Sequence, residues 1–304
     1  MAGSQDFLHD PRNANLLVYL DGALVPTDEA KVSIFDAGFG MGDGVWEGLR
    51  LHKGALLFLD AHLDRLYAGA AAIKIDIGLN RAQLVAELKR LLEANQMTDG
   101  GHLRLMVTRG RKSSINQDPR NALGRATIAI TAEYKASVPG PGLRLRSVTT
   151  RTSRPDTFDM RLNSHSRVNL IRALLEAIDL DPEADEALML DPHGHVASCN
   201  ATNFFWVREG RVETASGLYC FNGITRANVI AACRAGAAPL LESGVPLRHV
   251  LAAEEAFVTG TMGGIMPVRS IDGVAFPSDG PVTARIAAAY AEMKDADAAA
   301  NRLV

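Results

Sequence analysis

The run TFDMRLNSHSRVNLIRALLEAI (157–178) crowds Arg161, Asn163, Ser164, His165, Ser166 and Arg167 together, then settles into apolar residues at helical spacing, predicting a helix over 168–178. By itself the polar run fits a solvated loop in which Ser164 or Ser166 caps the helix. The segments on either side decide which fold it belongs to. Upstream stands the strand LRLRSVTT; downstream come strand EALMLD, turn PHGH, and strand NFFWVREGRVET with its own turn at Glu209-Gly210. Farther on, GITRANVIAACRAG begins a helix, EEAFVTGTMGGIMPVRSIDG reads as strand, Gly-rich turn and strand, and 282–295 has helical spacing.

Earlier in the chain, NLLVYLDGALVP (15–26) reads as a hairpin turning at Asp21-Gly22, and a second strand pair surrounds HKG at 52–54. Residues 61–73 and 81–95 repeat apolar positions at helical spacing, and GHLRLMVTRG and RATIAITAEY read as buried strands. The composition breaks at KASVPGPG (135–142), where two prolines and two glycines suit a linker. The expectation is an α/β chain of α+β pattern with domains at 1–134 and 143–304 joined by 135–142.

With 304 residues, 32 basic and 35 acidic side chains and no long run of one sign, the chain can bury a large core but offers no field to draw nucleic acid or an anionic membrane. Cys199, Cys220 and Cys233 have neither disulfide-framework nor metal spacing, so no metal is expected. The first residues, MAGSQDFLHDPRNAN, are polar and read as a partly ordered arm, and no apolar run approaches membrane-spanning length. A cytoplasmic location fits.

Several segments, in order, resemble the branched-chain aminotransferase-like family, the fold type IV enzymes that use pyridoxal phosphate (PLP): DAGFGMGDGVWEGLR (36–50), HLDRL (62–66), LRLMVTRG (103–110), ADEALMLDPHGHV (184–196), NATNFFWV (200–207), NGITRANVI (222–230) and TGTMGGIMPVRSIDG (259–273). The resemblance implies two α/β domains with an active-site cleft between them, a homodimer, and an amino acid or keto acid substrate. Arg65 matches the family's phosphate-binding arginine, whose planar fork suits phosphate oxygens. Gly223, Ile224 and Thr225 precede a helix, where backbone N–H groups and a hydroxyl can face an anion, and Thr261 adds a hydroxyl on a Gly-rich turn. Trp46 matches an aromatic wall of the substrate site, although Met41 stands where many relatives carry an aromatic residue. Arg109 and Arg111 resemble a region that holds substrate carboxylate in some relatives, while a solvated strand-end pair explains them equally.

Two positions depart from the pattern. Aligned with the family, Arg161 falls at the lysine that forms the Schiff base, and arginine offers no free amine for an imine. Lys53, Lys74, Lys112 and Lys135 sit in hairpin, helix or linker positions. The glutamate that keeps the pyridine nitrogen protonated is replaced by Ser198, a hydroxyl that can hydrogen-bond but supplies no charge. The expectations are therefore PLP or its amine form (PMP), held noncovalently; alternatively a lysine-free lyase or cofactor-independent proton transfer using His165; or a non-catalytic protein that binds a phosphate compound.

Overall fold

The computed structural model describes residues 4–138 and 140–304; Pro139 of the expected linker and the first three residues of the expected arm lie outside them. The chain forms two compact units. The amino-terminal unit gathers 9–136, 162–166 and 294–304; the carboxyl-terminal unit gathers 4–8, 137–161 and 167–293. The chain thus changes unit next to the Pro/Gly break and returns to the first unit for 162–166.

The amino-terminal unit starts with the hairpin of β1 (Leu17–Leu20) and β2 (Ala23–Pro26), whose turn residues Asp21 and Gly22 have φ of 49° and 98°. Positive φ at both turn positions matches the right-handed twist of the paired strands. A short helix α1 (Ala37–Met41), capped by the Asp36 side chain, leads into β3 (Gly44–His52), which turns through Lys53-Gly54 into β4 (Ala55–Leu56). Helices α2 (Leu59–Ala72) and α3 (Arg81–Ala94) follow, the second opened by a capping box between Asn80 and Gln83. Then come β5 (Gly101–Thr108) and β6 (Thr127–Tyr134), completing a six-stranded sheet in the order β2-β1-β6-β5-β3-β4. Leu63 and Leu66 of α2 and Leu84, Leu88 and Leu91 of α3 pack against Leu49, Leu51, Leu103 and Leu105 of the sheet, all essentially buried.

The carboxyl-terminal unit runs β7 (Leu143–Ser147), α4 (Val168–Leu180), β8 (Glu186–Leu190), β9 (Val196–Cys199), β10 (Asn203–Arg208), β11 (Arg211–Thr214), α5 (Ile224–Arg234), β12 (Leu240–Glu242), α6 (Leu247–Val250), β13 (Glu255–Gly260), β14 (Gly264–Ile271), β15 (Val274–Ala275) and α7 (Pro281–Ala300). Its nine-stranded sheet is mixed: β7 pairs in parallel with both β14 and β8, and β11 with β12, while the remaining pairs are antiparallel. The run NFFWV in β10 is apolar at every side-chain position after Asn203 because both faces of this strand are covered. Phe204 and Trp206 enter one core; Phe205 and Val207 enter another with Phe257, Val229 and Ile286.

The helix α4 departs from a simple amphipathic reading. Its small residues Ala173 and Ala177 face the core, whereas Val168, Ile171, Leu175 and Ile178 are 76%, 57%, 58% and 40% exposed. These four form an apolar stripe at i, i+3, i+7 and i+10 that the chain's own core leaves bare. Among the described residues, no helix is long and apolar enough to cross a membrane.

Candidate functional site

Alternation along β3 sends Val45, Glu47, Leu49 and Leu51 to the helix-covered face of the sheet. Glu47 is a carboxylate among leucines and is fully buried, so it requires cationic or donor partners. Helix α2 supplies two, one turn apart: His62 Nδ1 lies 2.6 Å from Glu47 Oε2, and Arg65 donates through Nε (2.7 Å) and Nη2 (2.6 Å) to the two carboxylate oxygens. Burial pushes the Glu47 carboxyl up, but the hydrogen bonds from Arg65 and His62 outweigh it and hold the group below its ordinary range. Arg65 is thereby oriented before any ligand arrives.

Segment 162–166 is strand-like. It adds to the open end of β3: Ser164 bridges Val45, Trp46 N donates to Asn163 O at 2.9 Å, and His165 N donates to Gly44 O at 2.9 Å. The indole Nε1 of Trp46 donates to Ser164 O at 3.1 Å. Asn163 is buried, its Nδ2 donating to Trp46 O and lying 3.4 Å from Glu47 Oε1. His165 Nε2 lies 3.1 Å from Val45 O, so this nitrogen carries the proton and is engaged with backbone. That geometry gives His165 a positioning part in the added strand.

Arg161 belongs to the carboxyl-terminal unit, its side chain is about half exposed, and its guanidinium forks onto Asp159 through Nε (2.9 Å) and Nη2 (2.8 Å). The residue of this stretch that enters the Glu47–Arg65 cluster is Asn163. Arg109 is likewise committed elsewhere: it pairs with Asp43 at 2.6 Å and donates to the carbonyls of Ile73 and Lys74 at the end of α2. Arg111 is exposed. Lys112 is buried with its Nζ on the carbonyls of Asn116 and Asp118, a loop-stapling role.

The opposite face of the same sheet carries cations that sequence reasoning passes over. Cross-strand register sets Trp46 opposite Met106, Gly48 opposite Arg104 and Arg50 opposite His102. The Arg104 guanidinium lies 3.9 Å over the Trp46 ring. Burial holds the pKa of Arg50 and of Arg104 below the ordinary arginine value, and burial together with Lys135, Arg50 and Arg104 pushes His102 down to about 3. His102 is thus neutral at pH 7, with a buried Nδ1 that has no hydrogen-bond partner. The signal available in sequence was the alternation of LRLMVT, which puts Arg104 on the same face as Met106 and away from the leucines.

In the carboxyl-terminal unit, Gly223 is the N-cap of α5, and no side chain caps this helix, whose first residues are Ile224 and Thr225. Asn203, at the start of β10, accepts from Gly223 N at 3.1 Å and donates to Phe221 O at 2.5 Å. A Cβ at 223 would lie 2.5 Å from Asn203 Oδ1, so glycine is required by close approach. Thr259 is register-paired with Asn203 across β10 and β13 and therefore shares its face; its hydroxyl is buried with no partner. Thr261 sits in the turn between β13 and β14. Ser198 is buried on β9 opposite Met189. Uncapped helix N–H groups and an orphaned hydroxyl suit an anionic acceptor, and the residues of this unit fit the phosphate of PLP.

The profile of the family described as Amino-transferase class IV matches residues 44–271. Branched-chain-amino-acid aminotransferase-like protein 2 of Arabidopsis thaliana is 37% identical over 289 residues, covering 94% of this chain and 51% of its own length. The putative branched-chain-amino-acid aminotransferase of Methanocaldococcus jannaschii is 34% identical over 258 residues, covering 84% and 88%. The chain spans about half the length of the first of these relatives. Among solved structures, the branched-chain aminotransferase of the thermophilic archaeon Thermoproteus uzoniensis with norvaline matches with a TM-score of 0.83 at 29% identity, covering 91% of this chain and 94% of its own. This chain belongs to the class IV aminotransferase family and has its mixed α/β, fold type IV architecture.

Proposed function

We propose that the protein binds PLP or PMP noncovalently and acts on an amino acid or keto acid bearing a carboxylate. The observation that carries the reading is the uncapped end of α5 at Gly223, Ile224 and Thr225, held through Gly223 N by Asn203, with the buried, unpartnered hydroxyl of Thr259 paired in register to that same Asn203. Thr261 supports the same assignment, and Arg65, held by Glu47, is the amino-terminal unit's own candidate for holding a phosphate.

PLP supplies an aldehyde that condenses with an amine and a ring that accepts electrons. The chain's own groups bind and orient. Glu47 accepts from Nε and Nη2 of Arg65 and so fixes the plane of its guanidinium, which limits the side-chain entropy that an approaching anion would cost. The Ser198 hydroxyl can bond a pyridine nitrogen but leaves its protonation to the solvent pH, which weakens electron withdrawal. Arg104, partly desolvated over the Trp46 ring, and Arg50, partly desolvated and donating from Nη1 to Lys135 O, support recognition of a substrate carboxylate, with neutral His102 adding no charge. No observation favours proton transfer by His165, whose Nε2 is tied to Val45.

The test is a spectroscopic titration with PLP and with pyridoxal. Loss of the phosphate's charge-assisted hydrogen bonds should weaken pyridoxal on the order of 100-fold. Equal affinity for the two would remove the phosphate assignment. The bare α4 stripe also supports a homodimer in which a second copy covers it; Ile171→Glu with Leu175→Glu should then give a monomer by light scattering, and an unchanged mass would exclude this interface.

A further inference from the structure

We infer that Asn163, and not Arg161, occupies the position from which an attaching amine would be offered in this chain, an inference that rests on the PLP reading above. An attaching residue has to share the environment of the phosphate arginine. Within segment 161–167, the described side-chain contact with the Arg65 cluster comes from Asn163: its Nδ2 lies 3.4 Å from the same Glu47 Oε1 to which Arg65 Nε donates at 2.7 Å. Asn163 is 5% exposed, and its backbone is fixed to β3 through Trp46. Arg161 meets none of these conditions, since its fork is spent on Asp159 in the other unit.

The side chain at 163 has consequently exchanged attachment chemistry for a structural one. A carboxamide is not a nucleophilic amine, because its nitrogen lone pair is delocalised into the carbonyl. It is instead a paired donor and acceptor suited to a strand edge, and here its donor goes to the Trp46 carbonyl. The native chain therefore holds its cofactor without a covalent link, and the lost chemistry should be restorable at 163 and not at 161.

The experiment compares Asn163→Lys and Arg161→Lys, each incubated with PLP in mildly alkaline buffer, treated with borohydride and mapped by peptide mass spectrometry. The lysine ε-amine adds to the PLP aldehyde carbon, water leaves and a C=N bond forms; borohydride then delivers hydride to that carbon and the nitrogen takes a proton. Asn163→Lys should carry a pyridoxyl group on residue 163, and Arg161→Lys should show only the background of the unaltered chain. Labelling at 161 in place of 163, or an unlabelled Asn163→Lys that is folded by circular dichroism, overturns the assignment.

Because lysine at 163 buries a charge, a second arm uses milder changes. Asn163→Asp sets a carboxylate beside Glu47 and should weaken noncovalent PLP binding at least tenfold, while Arg161→Ala stays within twofold. Equal effects of the two also overturn the assignment. If the unaltered chain fails to bind PLP at all, the cofactor reading falls and this assignment with it; if it binds and residue 163 stays silent, only the assignment falls.

Discussion

The two anion-suited regions of this molecule are built on opposite physical plans. In the amino-terminal unit a fully buried carboxylate, Glu47, is satisfied by Arg65 and His62, so every formal charge has a partner before a ligand appears. In the carboxyl-terminal unit the end of α5 has no side-chain cap and the Thr259 hydroxyl has no partner, so hydrogen-bonding capacity stands unused. A paired cluster contributes to stability whether or not ligand is bound; an unpaired one is costly until an acceptor arrives. Substitutions in the first region should act on folding, and substitutions in the second should separate folding from binding.

The largest effect is expected at Glu47. Glu47→Ala leaves Arg65 and His62 partly or wholly buried without their carboxylate, a loss of about 3–5 kcal/mol in denaturant unfolding. The pH dependence follows from the lowered pKa of Glu47: the unfolded chain binds its proton more readily, so the stabilisation is fully present above the ordinary value of 4.5 and is lost as pH falls through the folded value. Glu47→Gln should flatten that acid limb of the stability profile. An unchanged acid limb would mean that the cluster is not the charge-paired element described.

Gly223→Ala comes next. The added methyl would lie 2.5 Å from Asn203 Oδ1, forcing the asparagine away from the start of α5, with an expected loss of about 1–3 kcal/mol and weaker PLP binding. Thr259→Val makes the sharper contrast, because it replaces an unpartnered hydroxyl with a methyl of similar shape. Stability should rise by about 1 kcal/mol while PLP affinity falls, opposite signs that only a reserved donor produces. A valine variant that binds PLP as tightly as the parent would show that the orphaned hydroxyl serves no ligand.

Most of the fold was legible in the sequence because its elements are specified locally. Asp21-Gly22, Lys53-Gly54 and Glu209-Gly210 turn where hairpin chemistry requires, and the leucines of α2 and α3 carry the helical period onto the sheet. The candidate site was less legible because its key contacts are long-range. Nothing local tells NSHS that it will pair with the edge of β3, more than a hundred residues earlier in the chain, and a polar run that joins a strand edge looks the same in sequence as one left in solvent. The same limit applies to the arginines: Arg109 and Arg111 stand out beside a glycine, yet Arg109 is consumed by Asp43, and Arg104 acquires its setting only through register with Gly48 and stacking on Trp46. Ser198, Gly223, Thr225 and Thr261 could be named from the sequence because they sit within contiguous motifs, and their part in holding a ligand is a proposal.

The smallest effect tests where the boundary between the two plans lies. Arg161 adjoins Leu162, the first residue of the added strand, so in sequence it is almost as near the Glu47 cluster as Asn163 is. Its guanidinium pairs with a partly exposed aspartate, and such a pair contributes little because solvent already stabilises both ions. Arg161→Ala should therefore change unfolding free energy by no more than about 0.5 kcal/mol. If instead it destabilised the protein as Glu47→Ala does, the Arg161–Asp159 fork would be anchoring the entry of the chain into the added strand, and the paired plan would extend two residues beyond Asn163.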